Sequence, residues 1–170
     1  NVNSVQYKLF GNCYINNKKK NIKILTMRSG DLNQCSMSQL SDFLKSDVYV
    51  VFGSSFIKGE LVDFLINQKA INIHMGLSPY YRGSSCNFWA LYDNNPNYVG
   101  ATIHYLSKGL DSGEILFHCM PKLFQPEGPF EFTMRSVLVA QQGLVNSIKN
   151  KKIFSIKPVS QDKSKEIRYT

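Results

Sequence analysis

The stretch that decides the fold is INIHMGLSPYYRGSSCNFWALYDNNPNYVGATIHYLSKGLDSGEIL, residues 71–116 of the chain. An apolar run at its start carries Asn72 and His74, and a Gly-Leu-Asp-Ser-Gly turn at its end carries Asp111. Residues two apart in a strand point to the same face, so Asn72 and His74 should project together. Open α/β sheets bind ligands at the carboxyl ends of their strands, where the long loop after His74 begins. An amide, an imidazole and a carboxylate at that edge can hold an oxyanion and transfer a proton, as acyl transfer requires.

Four short motifs follow one another in this stretch. They are Asn72-x-His74, the Pro-Tyr-Tyr-Arg-Gly loop at 79–83, the Gly-Ala-Thr-Ile-His strand at 100–104 and the Gly-Leu-Asp-Ser-Gly turn at 109–113. A lone Asn, His or turn Asp is usually structural. In this order and at these separations, however, the motifs resemble the folate-dependent formyltransferase family. The strong match covers residues 70–117, and a weaker one extends over residues 47–150.

The resemblance implies a fold and an extent. The fold is α/β, with a Rossmann-like, open, mainly parallel sheet and helices on both of its faces. Members of the family begin with an earlier strand and a glycine-containing loop, so this chain is expected to lack its N-terminal βα unit. Residues 1–150 are then the formyltransferase catalytic domain, and residues 151–170 are a basic C-terminal tail.

Hydrophobic patterning predicts the individual elements. Short continuous runs of β-formers indicate buried strands, and apolar residues spaced three or four apart indicate helices. Residues 99–106 alternate, and Pro129 suits the first turn of a long helix. The predicted strands are 22–27, 47–52, 70–74, 99–106 and 114–123, and the predicted helices are 36–45, 60–67, 86–92 and 129–150.

Length and composition exclude several classes of protein. The 170 residues, 43% of them hydrophobic, suit one globular domain with a substantial core. No apolar run approaches the ~18 residues of a membrane helix, and the polar first residues lack the apolar centre of a signal sequence. We therefore expect a cytoplasmic protein without a membrane partner. The scattered residues Cys13, Cys35, Cys86 and Cys119 indicate reduced thiols rather than disulfides or a zinc site, so no metal is expected.

The net charge of +8 raises the question of nucleic-acid binding. Much of the positive charge lies in residues 18–20 and 149–168, where solvated lysines are the simplest interpretation. RNA-binding surfaces interleave aromatic with basic residues, and these clusters contain few aromatic residues, so a nucleic-acid partner is disfavoured. A basic surface would also attract a phosphorylated substrate or a polyglutamylated folate.

The resemblance implies 10-formyltetrahydrofolate as the formyl donor and assigns two groups of binding residues. The loop after residues 47–52 aligns with the family segment that contacts the pteridine ring, largely through backbone groups, although Gly and Ser are also ordinary turn residues. An arginine followed by glycine in the long loop suits an anchor for phosphate or carboxylate. The predicted cofactor-binding residues are Gly53, Ser54, Ser55, Phe56, Ile57, Ser107 and Leu110, and the predicted substrate-binding residues are Tyr81, Arg82, Gly83 and Trp89.

The three predicted catalytic residues divide the work of formyl transfer. An amine attacks the formyl carbon, and Asn72 donates its amide N–H to the oxyanion that develops. His74 donates to the same oxygen or relays a proton to the leaving folate nitrogen, while Asp111 orients His74 and accepts the proton of the amine. His104 is predicted to support the site from behind or to fill the core, and His118 is predicted to be structural.

Three acceptor amines compete in the family: an amino group on a nucleotide-linked sugar, glycinamide ribonucleotide, and methionyl-tRNA. The Tyr-Arg-Gly loop followed by Asn-Phe-Trp-Ala-Leu at 87–91 looks most like the sugar N-formyltransferases, which favours a small-molecule amino sugar. Glycinamide ribonucleotide enzymes usually differ in that loop, and the tRNA enzymes add an RNA-binding domain. A homodimer is compatible with the resemblance. A non-catalytic folate- or nucleotide-binding module is the alternative from another class.

Overall fold

The computed structural model describes residues 2–11 and 22–169. The helices are α1 (Val2–Phe10), α2 (Met37–Leu40), α3 (Gly59–Asn67), α4 (Cys86–Tyr92) and α5 (Pro129–Lys149). The strands are β1 (Val50–Phe52), β2 (Ile71–His74), β3 (Tyr81–Arg82), β4 (Ala101–Tyr105), β5 (Ile115–Cys119) and β6 (Arg168–Tyr169). Short 3-10 helices cover Asp31–Gln34, Pro96–Tyr98, Lys152–Ser155 and Lys163–Lys165. Within the described ranges, no helix is both long enough and apolar enough to cross a membrane.

The central sheet has the strand order β1-β2-β4-β5. β1 runs parallel to β2, whereas β2 and β5 each pair with β4 in antiparallel fashion. The open α/β sheet expected from the sequence is confirmed, but its described strands are mixed in direction rather than mainly parallel. A parallel pair needs a crossover connection, usually a helix lying on the sheet. Between β2 and β4, α4 packs instead in a separate cluster with Tyr81 and Val99, and the chain returns in the opposite direction.

Helices cover both faces of the sheet, as predicted. Ile71 and Ile73 of β2 join a buried apolar cluster with α5. Val51 of β1, which lies opposite Asn72 in the register, packs in a second cluster with the apolar residues of α3. Because side chains alternate along a strand, Asn72 and His74 lie on the α3 side of the sheet. The two polar residues of β2 therefore lie away from the apolar cluster that Ile71 and Ile73 join.

The predicted boundaries hold best where the apolar pattern is longest. Helices α3, α4 and α5 are confirmed to within one residue at each end. The helix predicted over 36–45 is shorter than expected. It consists of the four residues of α2, and non-helical backbone follows the buried Leu40. The strand predicted over 22–27 was wrong. Those residues pair with no described strand, and Ile24 and Leu25 remain 49% and 45% exposed, since β-forming residues need a partner edge and a surface to cover.

Residues 151–169 lie against the domain rather than extending into solvent. Ile153 is buried in the cluster between the sheet and α5. Val159 exchanges two backbone hydrogen bonds with Ile115 of β5, and β6 pairs with β3 in parallel. The interpretation of this part of the chain as solvated lysines was therefore incomplete, because its non-basic residues contact the domain. The other basic cluster, residues 18–20, lies outside the described residues.

Candidate active site

The three predicted catalytic residues meet at the carboxyl end of β2. The Asn72 amide nitrogen donates to Asp111 Oδ1 over 3.2 Å, and His74 Nδ1 lies 3.2 Å from Asp111 Oδ2. Both polar side chains of β2 therefore contact one carboxylate. The predicted convergence is confirmed, even though the turn that carries Asp111 follows β2 only after α4 and β4. Their catalytic roles stay predictions.

The turn at residues 109–113 holds Asp111 in an uncommon backbone conformation. The φ angle of Asp111 is 45°, in the left-handed region that Asp tolerates better than most residues. Gly113 packs so closely on β4 that a Cβ there would lie 1.7 Å from the carbonyl oxygen of Tyr105. The glycine after Asp111 is thus required by this close approach, which fixes the turn against β4.

The Asp111 carboxyl is charged at neutral pH. Burial by itself raises the pKa of Asp111, but His104, His74 and the backbone N–H of Gly83 outweigh burial and hold the pKa below its usual value. The Gly83 N–H donates to Oδ2 over 3.3 Å. His104 Nε2 lies 3.8 Å from Oδ1, too far for a hydrogen bond. The site therefore holds a buried anion that accepts hydrogen bonds from the Asn72 amide and the Gly83 N–H.

Both ring nitrogens of His74 face acceptor atoms. Nε2 lies 2.9 Å from the carbonyl oxygen of Tyr81, which can only accept, so Nε2 carries a hydrogen. Burial lowers the pKa of His74, and Asp111 and the Tyr81 carbonyl offset only part of that effect. The Nδ1 atom of His74 and Oδ2 of Asp111 face each other at 3.2 Å, a distance at which a proton can pass between them. Donation from His74 to an oxyanion would require one of these contacts to break, whereas holding a proton requires no rearrangement.

His104 sets the orientation of the Asn72 amide. Its Nδ1 lies 2.8 Å from the carbonyl of Tyr105 and therefore donates, which makes Nε2 an acceptor in the neutral ring. Nε2 lies 3.0 Å from the Asn72 amide nitrogen. The two amide hydrogens of Asn72 are thus directed to His104 and Asp111. His104 is 1% exposed, and its predicted place behind the site is confirmed.

Thr102 of the Gly-x-Thr-x-His motif fixes the loop that follows His74. Its hydroxyl donates to the carbonyl of Gly76 over 2.6 Å and accepts the backbone N–H of Ser78 over 2.8 Å. A Cβ on Gly76 would lie 2.7 Å from His74 Nε2, so this position too requires glycine. The motif threonine therefore holds the loop, a role that the sequence analysis did not assign. His118 donates to the carbonyl of Ser78, in keeping with its predicted structural role.

Two adjoining cavities open beside the trio. One of about 100 Å³ lies between the loop after β1 and the turn at 107–111, and the other, of about 330 Å³, reaches Gly53, His74 and Gly83. Asn72 and Asp111 line both cavities. The predicted cofactor residues that line the smaller cavity are Ser54, Ser55, Phe56, Ile57, Ser107 and Leu110. The smaller cavity is thus lined by both apolar and polar residues, and Asn72 lies at its border with the larger one.

A single asparagine bridges the loop after β1. The Asn33 side chain donates to the carbonyl of Phe56 over 2.8 Å and accepts the backbone N–H of Lys58 over 2.8 Å. The Ile57 side chain between them is buried in the α3 cluster, so Ile57 can offer a ligand mainly its backbone. Asn33 had not been predicted as part of the site, because its only signal is two hydrogen bonds that form after folding.

Two predicted substrate-binding residues do not face the cavities. The Tyr81 ring is fully buried, and its hydroxyl bonds Asp93 and Asn95. That prediction was wrong for the ring, although the Tyr81 carbonyl orients His74. The Trp89 ring carries the Arg168 guanidinium 4.4 Å from its centre, and Trp89 lines neither cavity beside the trio. Substrate binding by Trp89 stays a prediction.

Arg82 points into the protein rather than toward a ligand. It is 6% exposed, its Nη1 lies 3.0 Å from Glu166, and its Nη2 donates to the carbonyl of Leu110 over 3.2 Å. The prediction that Arg82 anchors a phosphate was therefore wrong, because a carboxylate of the same chain takes that place. Gly83, in contrast, lines the larger cavity and stays a predicted substrate contact.

The cysteines play no visible part in this site. Cys35, Cys86 and Cys119 are free thiols, and Cys13 lies outside the described residues. Burial raises the pKa of Cys86 to about 12 and that of Cys119 to about 11, so neither is a ready nucleophile. The described part of the chain contains no group of three or more His, Cys, Asp or Glu residues that could hold a metal ion.

A sequence model of the formyl transferase family matches residues 14–148. The chain belongs to this family. Methionyl-tRNA formyltransferase of Caldicellulosiruptor saccharolyticus is 34% identical over 95 residues, which is 56% of this formyltransferase chain and 30% of that protein. The enzyme of the same name from Anaeromyxobacter sp. is 28% identical over 119 residues, or 70% of this chain and 38% of that protein. The matched part of the chain thus spans 30% of the length of the first relative and 38% of the second.

Solved structures of other formyltransferases share the fold. The formyltransferase PseJ from Anoxybacillus kamchatkensis, in complex with UDP-4,6-dideoxy-4-formamido-L-AltNAc and tetrahydrofolate, has a TM-score of 0.59 at 23% identity, over 83% of this chain and 68% of that chain. Phosphoribosylglycinamide formyltransferase from Anaplasma phagocytophilum has a TM-score of 0.54 at 23% identity, over 66% and 56%. These similarities confirm the predicted formyltransferase-type fold.

Proposed function

We propose that this chain carries the catalytic site of an N-formyltransferase that moves a formyl group from 10-formyltetrahydrofolate to an amine. The observation that carries the proposal is the contact of Asn72 and His74 with one carboxylate, Asp111, where two cavities adjoin. One cavity suits a flat donor ring, and the other leaves space for an acceptor. Family membership and the tetrahydrofolate bound to PseJ support this donor.

In this proposal the bound folate supplies an activated formyl group, and the side chains of the chain manage charge and protons. Asn72 turns one amide hydrogen from Asp111 or His104 toward the formyl oxygen as negative charge develops there. Asp111 and His74 Nδ1 take up the proton that the amine loses, directly or through water, and return it to the folate nitrogen as its bond to the formyl carbon breaks. The Tyr81 carbonyl keeps the His74 ring in place during that transfer. No covalent bond to the protein is needed.

The acceptor that we favour is an amino group on a nucleotide-linked sugar. Two observations support it: the Tyr-Arg-Gly loop with its following Asn-Phe-Trp-Ala-Leu run, and the UDP-linked sugar in the PseJ structure, a protein of similar fold. Because Arg82 is paired with Glu166, recognition of the nucleotide must use other groups. Methionyl-tRNA is the second candidate, because the curated relatives bear the name methionyl-tRNA formyltransferase.

An acceptor panel tests the proposal with the full-length protein. The donor is supplied with dTDP- and UDP-linked amino sugars, glycinamide ribonucleotide or charged methionyl-tRNA, and formylated products are identified by mass spectrometry. We expect formylation of at least one amino sugar. Activity on tRNA or glycinamide ribonucleotide alone would reject the sugar and keep formyl transfer. Tight folate binding without transfer to any amine would instead indicate a non-catalytic binding module.

A further inference from the structure

The segment 156–169 is tied to the domain on both sides of the candidate active site. Near its start, Val159 and Ile115 exchange backbone hydrogen bonds of 2.8 and 2.9 Å. Near its end, the backbone N–H groups of Ile167 and Arg168 donate to the carbonyl of Tyr80. The residues between these attachments must therefore pass over the turn that carries Asp111.

Gln161 is the residue of this segment that bonds the turn. Its side-chain nitrogen donates to the carbonyl of Asp111 over 2.8 Å and to the carbonyl of Gly113 over 2.7 Å. An amide nitrogen has two hydrogens, so its full donor capacity goes to the two carbonyls that bracket Ser112. The turn is thus held on one side by Gly113 against β4 and on the other by Gln161.

The other end of the Gln161 amide shows why glutamine stands there. Its Oε1 is buried and has no hydrogen-bond partner among the described residues. A buried acceptor without a partner destabilises a protein. The favourable contribution of the Gln161 side chain therefore comes from the two hydrogen bonds that its amide nitrogen donates.

The turn needs such support because of what it carries. Asp111 adopts a φ of 45°, a left-handed conformation that raises the backbone energy of residues other than glycine. From that conformation its carboxylate reaches Asn72, His74 and the Gly83 N–H at 3.2–3.3 Å. If the turn relaxed, all three contacts would lengthen together, because they share one carboxylate.

We infer that Gln161 is a positioning residue for the formyl-transfer reaction, which acts by locking the 111–113 turn so that Asp111 faces His74 and Asn72. The inference rests on the proposed function. It adds a residue outside the four motifs, from the part of the chain that the sequence indicated as a basic tail. Gln161 contacts backbone atoms of the turn and acts on the reaction through Asp111.

The test uses variants that keep the length of the side chain. Gln161→Met removes both donors, and Gln161→Glu also places a carboxylate against two carbonyl oxygens. We expect kcat to fall about 10- to 100-fold in Gln161→Met and further in Gln161→Glu, with KM for donor and acceptor changed less than about twofold. Gln141→Met, on the exposed surface of α5, is the matched control and should retain full activity.

A double mutant separates positioning from a general structural effect. In an Asp111→Asn background, Gln161→Met should change kcat by less than about twofold, because the residue it positions is already inactive. Losses that multiply, or a loss of melting temperature without a loss of kcat, would overturn the inference.

Hydrogen exchange gives a reading that needs no activity. The peptide covering residues 107–114 should exchange faster in Gln161→Met than in the wild type and in Gln141→Met. Equal exchange rates in Gln161→Met and the wild type would show that Gln161 does not hold the turn, even if kcat fell. If the wild-type protein transferred no formyl group, the proposed function would fail, while the exchange experiment would still decide whether Gln161 holds the turn.

Discussion

The two walls of the candidate cofactor cleft are built differently. The wall after β1, residues 53–57, follows the edge strand of the described sheet, and its Phe56 side chain is 49% exposed. Asn33 bridges this loop from an exposed position. The opposite wall, residues 107–113, receives hydrogen bonds from Arg82 and Gln161, and Gly113 packs directly on β4.

The difference follows the demands of the two walls. A group that meets charge developing in a transition state must be oriented before the reaction, because reorientation during the reaction reduces catalysis. A wall that only contacts the bound ring can shift with little loss of catalytic rate. Segments with few buried contacts also unfold locally most easily. The comparison predicts that changes in the Asp111 wall lower kcat, whereas changes in the other wall raise KM for the folate.

Asp111→Asn should have the largest effect. The substitution keeps the shape but removes the charge and the proton acceptor, so we expect kcat to fall about 1,000-fold or more while the fold is retained. Steady-state kinetics and thermal melting measure the two properties. Asp42→Asn, an exposed carboxylate paired with Lys45, is the control and should change neither. Wild-type turnover in Asp111→Asn would exclude Asp111 as the proton acceptor.

Asn72→Ala should rank second. In the proposed reaction its amide turns toward charge that develops during attack rather than toward the bound ring, so kcat should fall about 100- to 1,000-fold with folate affinity nearly unchanged. Turnover assays and isothermal titration with the folate separate the two quantities, and Asn97→Ala on an exposed 3-10 helix serves as control. A large loss of folate affinity with unchanged kcat would show that Asn72 contributes to folate binding rather than to catalysis.

Asn33→Ala tests the wall after β1, residues 53–57. Loss of its two bonds to the 56–58 backbone should raise KM for the folate about five- to tenfold, which corresponds to roughly 1–1.4 kcal/mol, and should leave kcat within about twofold. The measurement is a donor titration at saturating acceptor. A fall in kcat as large as that of Gln161→Met would show that both walls need equal rigidity and would end the comparison.

Acid stability gives the smallest expected signal. The pKa of His74 lies below its usual value of 6.5, so below pH 6.5 the unfolded chain binds a proton that the folded chain refuses, and stability falls as the pH drops. The lowered pKa of Asp111 adds a further loss as the pH falls through and below 3.8. His74→Gln should make the melting temperature less dependent on pH between 7.5 and 5. Identical slopes in variant and wild type would contradict the assignment.

The sequence alone supported much of the site because catalytic chemistry limits residue choice. Asn72, His74 and Asp111 could be named from their types, order and separations, and the walls of the cleft from the loops beside them. Long amphipathic helices such as α5 could also be predicted, because many apolar residues repeat with the helical period. The strand predicted over 22–27 was wrong because a strand needs a partner, and the residues of this segment do not reveal that no described strand pairs with it.

The substrate loop shows the opposite limit. Arg82 suits an anion anchor in sequence, but only the fold brings Glu166 to within 3.0 Å of it. Tyr81 was predicted to bind substrate, whereas the folded chain buries its ring and directs its carbonyl to His74. For Arg82 the contact with a carboxylate was foreseeable and the partner was not, and for Tyr81 neither was foreseeable.

The sequence by itself determined the family, the α/β class and the trio predicted to be catalytic, because these depend on residue identity, motif order and spacing. Tertiary structure alone decided the mixed direction of the sheet, the 3.2 Å contact between His74 and Asp111, and the hydrogen bonds that Asn33 and Gln161 make to the two walls. Those features depend on which atoms meet across 23 to 50 residues of chain, as between Asn33 and Phe56 or Gln161 and Asp111. A lone polar residue in a loop has no periodicity, so its partner is defined only when the backbone has folded around it.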